Sequence, residues 1–293
     1  MAAALALTIA VLAVSWSAIL VRLCDAPALG IAFFRMLLAT LATLPLALRA
    51  RERDAGRGSL PAGAIVAAGL LLAAHFATWV SSLALTSVAS SVLLVNLHPL
   101  LSGFVGHRWL GDTISHRTVA GLALALAGAG AVAAGDWHLG GGHRIGDLLA
   151  VAGSVTVAGY LLVGRSVRHR AGLGLYLTGV YAVATVALGI ACFALQVPLL
   201  GYAPSTYGWI ALMTAGPHLL GHNLLNWAVR RLPAHLVQAT VLGEPVLATL
   251  YAAWLFNERP SSGWFVGSVC VAAGVIWVAR EEWTRGRQCR ASA

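Results

Sequence analysis

Charge is what this sequence has least of. Only 10% of its 293 residues are charged and 59% are hydrophobic, with a mean hydropathy of +0.82. A soluble domain carries about a quarter charged residues. With so little polar side chain to coat a globule, a soluble fold is excluded, and the chain reads as an integral membrane protein. Lysine is missing altogether, so all nineteen basic residues are arginine. Four cysteines (Cys24, Cys192, Cys270, Cys289) stand far apart. That scatter gives no metal-type or redox spacing and no disulfide framework. No ATP-binding motif is present, and the glycines of GLGLYLTG, residues 172–179, follow no strand, so they make no nucleotide fingerprint. No cofactor is expected. The start of the chain lacks the basic stretch of a secretory signal. Its apolar run, 2–21, is long enough to span, and no polar cleavage region follows, so it reads as a first helix. The formal charge of +9 would suggest nucleic acid in a soluble domain. In a membrane chain it reads as cytoplasmic loops beside anionic lipid, so the expected partner is the lipid bilayer and no nucleic acid.

What is present is a series of apolar runs. Ten can be marked, near 2–21, 28–48, 60–84, 87–107, 117–135, 146–164, 173–195, 207–229, 234–256 and 262–279. A helix needs about 20 such residues to cross about 30 Å of hydrocarbon. The expected fold class is an all-α integral membrane protein with ten transmembrane helices. The polar connections are RARERDAGRG (Arg49 to Gly58), GDWHLGGGHRIGD (Gly135 to Asp147) and GRSVRHRAG (Gly164 to Gly172). With the N-terminus in the cytoplasm, fifteen arginines fall on the cytoplasmic side and three (Arg22, Arg144, Arg259) outside, with Arg35 within the second run. The positive-inside rule then puts both termini in the cytoplasm. A multi-pass protein of the cell (inner) membrane is expected.

The two halves carry matching punctuation. HPLLSGFVGHRWLGDTISHRTVAGLALALAG begins at His98, and EPVLATLYAAWLFNERPSSGWFVGSVCVAAG begins at Glu244; shifted by 146 residues they align without a gap. Pro99 meets Pro245, Asp112 meets Glu258, Ser115 meets Ser261, Gly121 meets Gly267 and Gly128 meets Gly274. Each half then holds five runs, and an odd number forces the halves to enter the membrane in opposite senses. Five plus five, inverted, is a transporter architecture. The expected division is a first repeat over 1–135, a second over 146–282 and a basic cytoplasmic tail over 283–293.

ALGIAFFRMLLATLATLPL in the second run, the His98 block and its Glu244 partner together resemble the EamA-type family of the drug/metabolite transporter superfamily. The likeness covers essentially the whole chain. One departure is His98-Pro99, where the family commonly has Glu-Pro. The resemblance implies alternating-access export of a small-molecule solute: amino acids, related metabolites or amphipathic drugs. It also implies that the first, third, fourth, sixth, eighth and ninth runs surround the central path.

Glu244 and Arg35 are the charged types well inside the runs. An ionised side chain at the bilayer centre costs about 2.5–3.5 kcal/mol on insertion scales, so each needs a reason. Glu244 reads either as a proton-titratable or solute-binding group, or as a structural residue. In the structural role it caps backbone groups freed by a bend at Pro245, or pairs with Arg35. Arg35, in the outer half of its run, snorkels to the interface or bridges to another helix, with solute binding a third role. Polar stripes recur at spacings of three and four, which share a helix face. His75, Trp79 and Ser82 form one, and His218, His222 and Asn226 another; Asn96 and His98 precede Pro99. Such faces should turn from lipid toward a wet cavity or toward other helices. Trp16, Tyr160 and Gln238 join them as candidate solute-binding residues.

The pair His218 and His222 invites a metal, but neither an adjacent acid nor a third ligand is evident, so no metal site is assigned. Trp109, Trp137, Trp264 and Trp283 read as interfacial belt residues. An enzyme is not expected. The alternatives are an intramembrane metalloenzyme using His218 and His222, a nucleotide-sugar type carrier, and a non-transporting scaffold. The carrier lacks the basic cluster a diphosphate would want. Protons are a candidate coupling partner, and a homodimer is left open.

Overall fold

The computed structural model describes residues 2–53, 61–98, 100–101, 115–136, 141–167, 173–229, 241 and 243–291. Among these, every regular element is a helix. Helices satisfy their own backbone hydrogen bonds, which hydrocarbon cannot do for them. In chain order they are α1 (Ala2–Ser15), α2 (Ser17–Leu23), α3 (Ala28–Arg53), α4 (Ala62–Leu85), α5 (Val88–Val95), α6 (His116–Asp136) and α7 (Gly141–Val167). There follow α8 (Leu173–Ala194), α9 (Pro204–Met213), a π-helical segment (Thr214–Gly221), α10 (His222–Val229), α11 (Gly243–Phe256) and α12 (Ser262–Ala291).

Five stretches are long and apolar enough to cross a membrane: Leu5–Leu23, Ala28–Arg49, Ala62–Leu85, Gly141–Val167 and Gly174–Ala194. His116–Val132 and Ser262–Val278 are shorter apolar helices. The remaining runs are not single long helices among the described residues. The fourth leaves helical geometry at Asn96, just before His98-Pro99, and the eighth changes to π geometry around Pro217. The start of the ninth lies outside the described residues. Pro245 sits in the first described turn of α11, and the bend expected there involves residues that precede it. Ile190, Phe193, Trp254 and Val269 are all at least 64% exposed. So much apolar surface on separate helices suits a lipid surround, since water would charge about 25 cal/mol for every Å². Inside, threonine hydroxyls turn back on the helix: Thr40 donates to Met36 O at 2.8 Å and Thr185 to Tyr181 O at 2.8 Å.

The helices pack in specific pairs. Principal neighbours are α3 with α8, α4 with α7 and α8, α5 with α11, α6 with α12, and α1 with the π segment and α10. The α6–α12 contact is set by glycines. A Cβ added at Gly267 would lie 2.5 Å from the Gly128 carbonyl oxygen, and one at Gly274 would lie 2.5 Å from that of Gly121. No side chain fits there without moving a backbone. Gly267→Val is therefore expected to cost about 1–3 kcal/mol through overpacking, read as a lower unfolding midpoint in detergent. Gly130→Ala, where nothing lies within 4 Å, is the neutral control.

At one end of the bundle Glu258, in the turn after α11, joins three elements. Its carboxylate pairs with Arg22 on α2, and its other oxygen accepts the Val88 N–H at 2.9 Å. That N–H is one of the donors a helix start leaves open. Beside it, the Ser87 side chain accepts the Ser90 N–H at 3.1 Å. Trp264 is not a belt residue: it is 7% exposed, and its indole N–H donates to Ala89 O at 3.1 Å. An indole buried among helices needs an acceptor, and the α5 carbonyl supplies one.

Candidate functional site

A cavity of about 450 Å³ lies between α1, α2, α3, α4, α5, α7, α8, the π-helical segment, α10 and α11. Two local features aim side chains into it. On α4, the four-residue spacing puts His75 and Trp79 on one face, with their rings stacked at 6.0 Å and 4°. The His75 Nδ1–H donates to Gly153 O at 2.9 Å, since a carbonyl only accepts, and this leaves Nε2 as an acceptor. In the eighth run, Pro217 lacks an N–H and its ring crowds the carbonyl four residues back. The chain widens there, and the His222 N–H reaches the Pro217 carbonyl, five residues back. Such π turns are frequent at functional sites. The His218 and His222 rings meet edge-on at 5.9 Å, and His218 also packs on Tyr181 at 5.1 Å.

The break after α5 has its own account. Pro99 cannot donate to the Val95 carbonyl, four residues earlier. The His98 Nδ1–H donates to that oxygen instead, at 3.1 Å, and the Asn96 side chain donates to Val92 O at 2.9 Å. His98 thus replaces the hydrogen bond its proline neighbour lacks. His98→Ala is expected to destabilise the protein by about 1–3 kcal/mol, the cost of a buried carbonyl left unpaired, and thermal unfolding in detergent measures it.

Arg35 is 1% exposed and does not snorkel. Its Nη1 donates to Ser17 Oγ at 3.0 Å, and its guanidinium carbon lies 4.6 Å from the Phe76 ring centroid and 5.6 Å from that of Trp79. Of the alternatives for Glu244, pairing with Arg35 is not formed: both residues border the cavity, but among the described residues they make no ion pair. Asn96, whose side chain donates to Val92 O, is a neighbour of the half-buried Glu244 carboxyl on the cavity wall.

The cavity therefore brings together His75, Trp79, Asn96, His98, Tyr160, His218 and His222 with Arg35 and Glu244. Trp16 lies elsewhere, stacked on Tyr251 at 4.8 Å. Ser82 is also diverted: it bonds Trp79 O at 2.7 Å and the Ser91 hydroxyl at 2.6 Å. The side chain of Asn226, and Gln238 altogether, lie outside the described residues. Sequence reasoning passed over Ser17, Phe76, Tyr181 and Asn223, which also line the cavity. Only Asn223, next to His222, carried a usable signal. Among the described residues no group of three His, Cys, Asp or Glu is placed to hold a metal ion. A surface cleft of about 500 Å³ between α6 and α12 is lined by exposed or half-buried residues such as Arg117 and Glu281. It gathers no buried polar group, so the central cavity is the candidate site.

The sequence matches the family model described as EamA-like transporter family over residues 1–133 and again over residues 144–280. No curated protein matches it. Among solved structures, a chain described as "Crystal structure of protein" is 21% identical, with a TM-score of 0.64, covering 94% of this chain and 96% of that one. At that identity the likeness concerns the fold alone.

Proposed function

The chain belongs to the EamA-like transporter family, and from that premise we propose that it exports a small organic solute through the central cavity by alternating access. The observation that carries this reading is the cavity itself: it is enclosed by helices from both matched halves and lined by aromatic rings and polar groups. Amino acids, related metabolites and amphipathic drugs are the solute classes in view. We further infer ten spans in two inverted repeats of five. The packing supports this. When runs five apart are exchanged, the second with the seventh, the fourth with the ninth and the fifth with the tenth each pair with themselves. The third with the sixth becomes the eighth with the first, another neighbouring pair. The glycine contacts obey the same exchange, since the 146-residue shift turns Gly121–Gly274 into Gly267–Gly128.

Both termini are read as cytoplasmic and the membrane as the cell (inner) membrane, on the arginine distribution. A cysteine at Gly141, in a background without native cysteines, is then expected to react with an impermeant thiol reagent in intact cells. One at Arg49 is expected to resist it. The reverse pattern would overturn the orientation. Transport itself is tested by counterflow in proteoliposomes loaded with a mixed panel of the three solute classes. Exchange of none of them would remove the reading.

A further inference from the structure

Several buried polar atoms of the cavity that lack a partner are gathered around one cation, Arg35. Arg35 has no carboxylate within ion-pair distance among the described residues, and its Nε has no partner. The faces of Phe76 and Trp79 offset part of the cost of this charge, but a desolvated cation–π contact is worth only about 2 kcal/mol, and burying an ion costs several. The Trp79 Nε1–H and both ring nitrogens of His218 are also without partners, on side chains each 5% exposed. Arg35 and His218 both lie against Phe76, so the three groups share one neighbourhood. Guanidinium and indole N–H groups can only donate. The Arg35 Nε and Trp79 Nε1 donors, with the one N–H of a neutral His218 ring, thus have no acceptor in hydrogen-bonding distance although the Glu244 carboxyl borders the same cavity, and an anion would supply one.

Resting on the transport reading, we propose that the carboxylate of the solute binds at Arg35, with the Trp79 indole N–H and His218 completing the donor set. A single buried arginine suits one negative charge; a phosphate dianion would call for more. The rest of the solute lies along the aromatic wall of Phe76, Trp79 and Tyr181. A cavity of about 450 Å³ is ample for a small carboxylic acid and falls in the usual range for small-molecule sites, about 300–1,000 Å³.

Isothermal titration calorimetry on the purified protein, with three probes that share one ring, tests this: benzoate, benzylamine and benzyl alcohol. Benzoate is expected to bind at least about tenfold more tightly than either of the others, a difference of about 1.4 kcal/mol. Arg35→Gln is expected to erase that preference. Trp79→Phe, which keeps a ring and removes the N–H, is expected to weaken benzoate selectively. Equal or tighter binding of benzylamine or benzyl alcohol, or no benzoate binding by the parent, would overturn the proposal. So would parent-like benzoate affinity in Arg35→Gln. If that variant fails to accumulate, the parent series and Trp79→Phe still decide. Counterflow separates this site from the transport reading. Carriage of neutral or cationic solutes with no dependence on Arg35 removes the site and keeps the transporter. Benzoate binding without transport of any solute does the opposite.

Discussion

Replacing Glu244 with glutamine is expected to leave solute exchange intact and to abolish transport driven by a proton gradient. Glu244 borders the cavity, half-buried, near Asn96 and with no cation in ion-pair contact among the described residues. A carboxylate carried through the membrane interior costs about 2.5–3.5 kcal/mol on insertion scales. A carboxyl that takes up a proton for the crossing avoids that cost and couples the movement to the gradient. Glutamine keeps the shape and much of the hydrogen-bonding capacity, but it has no proton to release. Exchange of solute for solute needs no net proton movement, so it should persist. In inside-out vesicles with an acidic lumen, the parent is expected to accumulate solute and Glu244→Gln to fall to the level of vesicles without a gradient. Glu244→Ala, which also deprives Asn96 of its neighbour, should lower the amount of folded protein as well. If Glu244→Gln accumulates solute like the parent, with an overlaying pH profile, the residue couples nothing and facilitated diffusion is the better account.

Much of this arrangement was legible in the residue order, for identifiable reasons. Apolar runs mark helices because hydrocarbon leaves the backbone no alternative. Spacings of three and four marked His75 with Trp79 and His218 with His222, and both pairs do border the cavity. What stayed hidden depends on contacts between distant segments. Phe76 and Tyr181 look like ordinary membrane side chains in sequence, and only the packing of α4 and α8 makes them walls. Arg35, in the outer half of its run, resembled a snorkelling residue; its burial follows from Ser17 and two aromatic faces on other helices. His98 stood where the family commonly has an acid, and only the packing shows that its Nδ1–H is spent on the carbonyl that Pro99 leaves free. The π segment contains Pro217, which the residue order alone did not single out: a proline predicts a disturbance without saying which form it takes. Trp264 followed the rule for tryptophans near helix ends, and the α5 carbonyl overrode it.

The second large effect is expected at the Arg22–Glu258 pair. On the proposed orientation this contact lies at the outer end, where it ties α2, the α11–α12 turn and the start of α5 together. The cavity lining runs the other way, to Arg165 near the cytoplasmic end of α7, so the pair reads as the closure of the outer face. A partly exposed ion pair stabilises by only about 0–1 kcal/mol, so deleting a single charge should have a modest effect. Reversing one charge does more, because Arg22→Glu sets two carboxylates against each other and pulls Glu258 from the Val88 N–H. Each 1.4 kcal/mol moved this way changes the ratio of closed to open states about tenfold. A cysteine at Leu72, buried against the cavity, reports that ratio in a background without native cysteines. It is expected to resist an impermeant thiol reagent from outside in the parent and to react readily with Arg22→Glu. In the double exchange Arg22→Glu with Glu258→Arg, protection should return for the most part. It should not return fully, since the arginine cannot accept the Val88 N–H. Should the single reversal leave the Leu72 cysteine as protected as in the parent, the pair does not hold the outer face shut. Should the single reversal expose it and the double fail to restore it, the bond to Val88 is the part of the contact that holds the outer face, rather than the charge pairing.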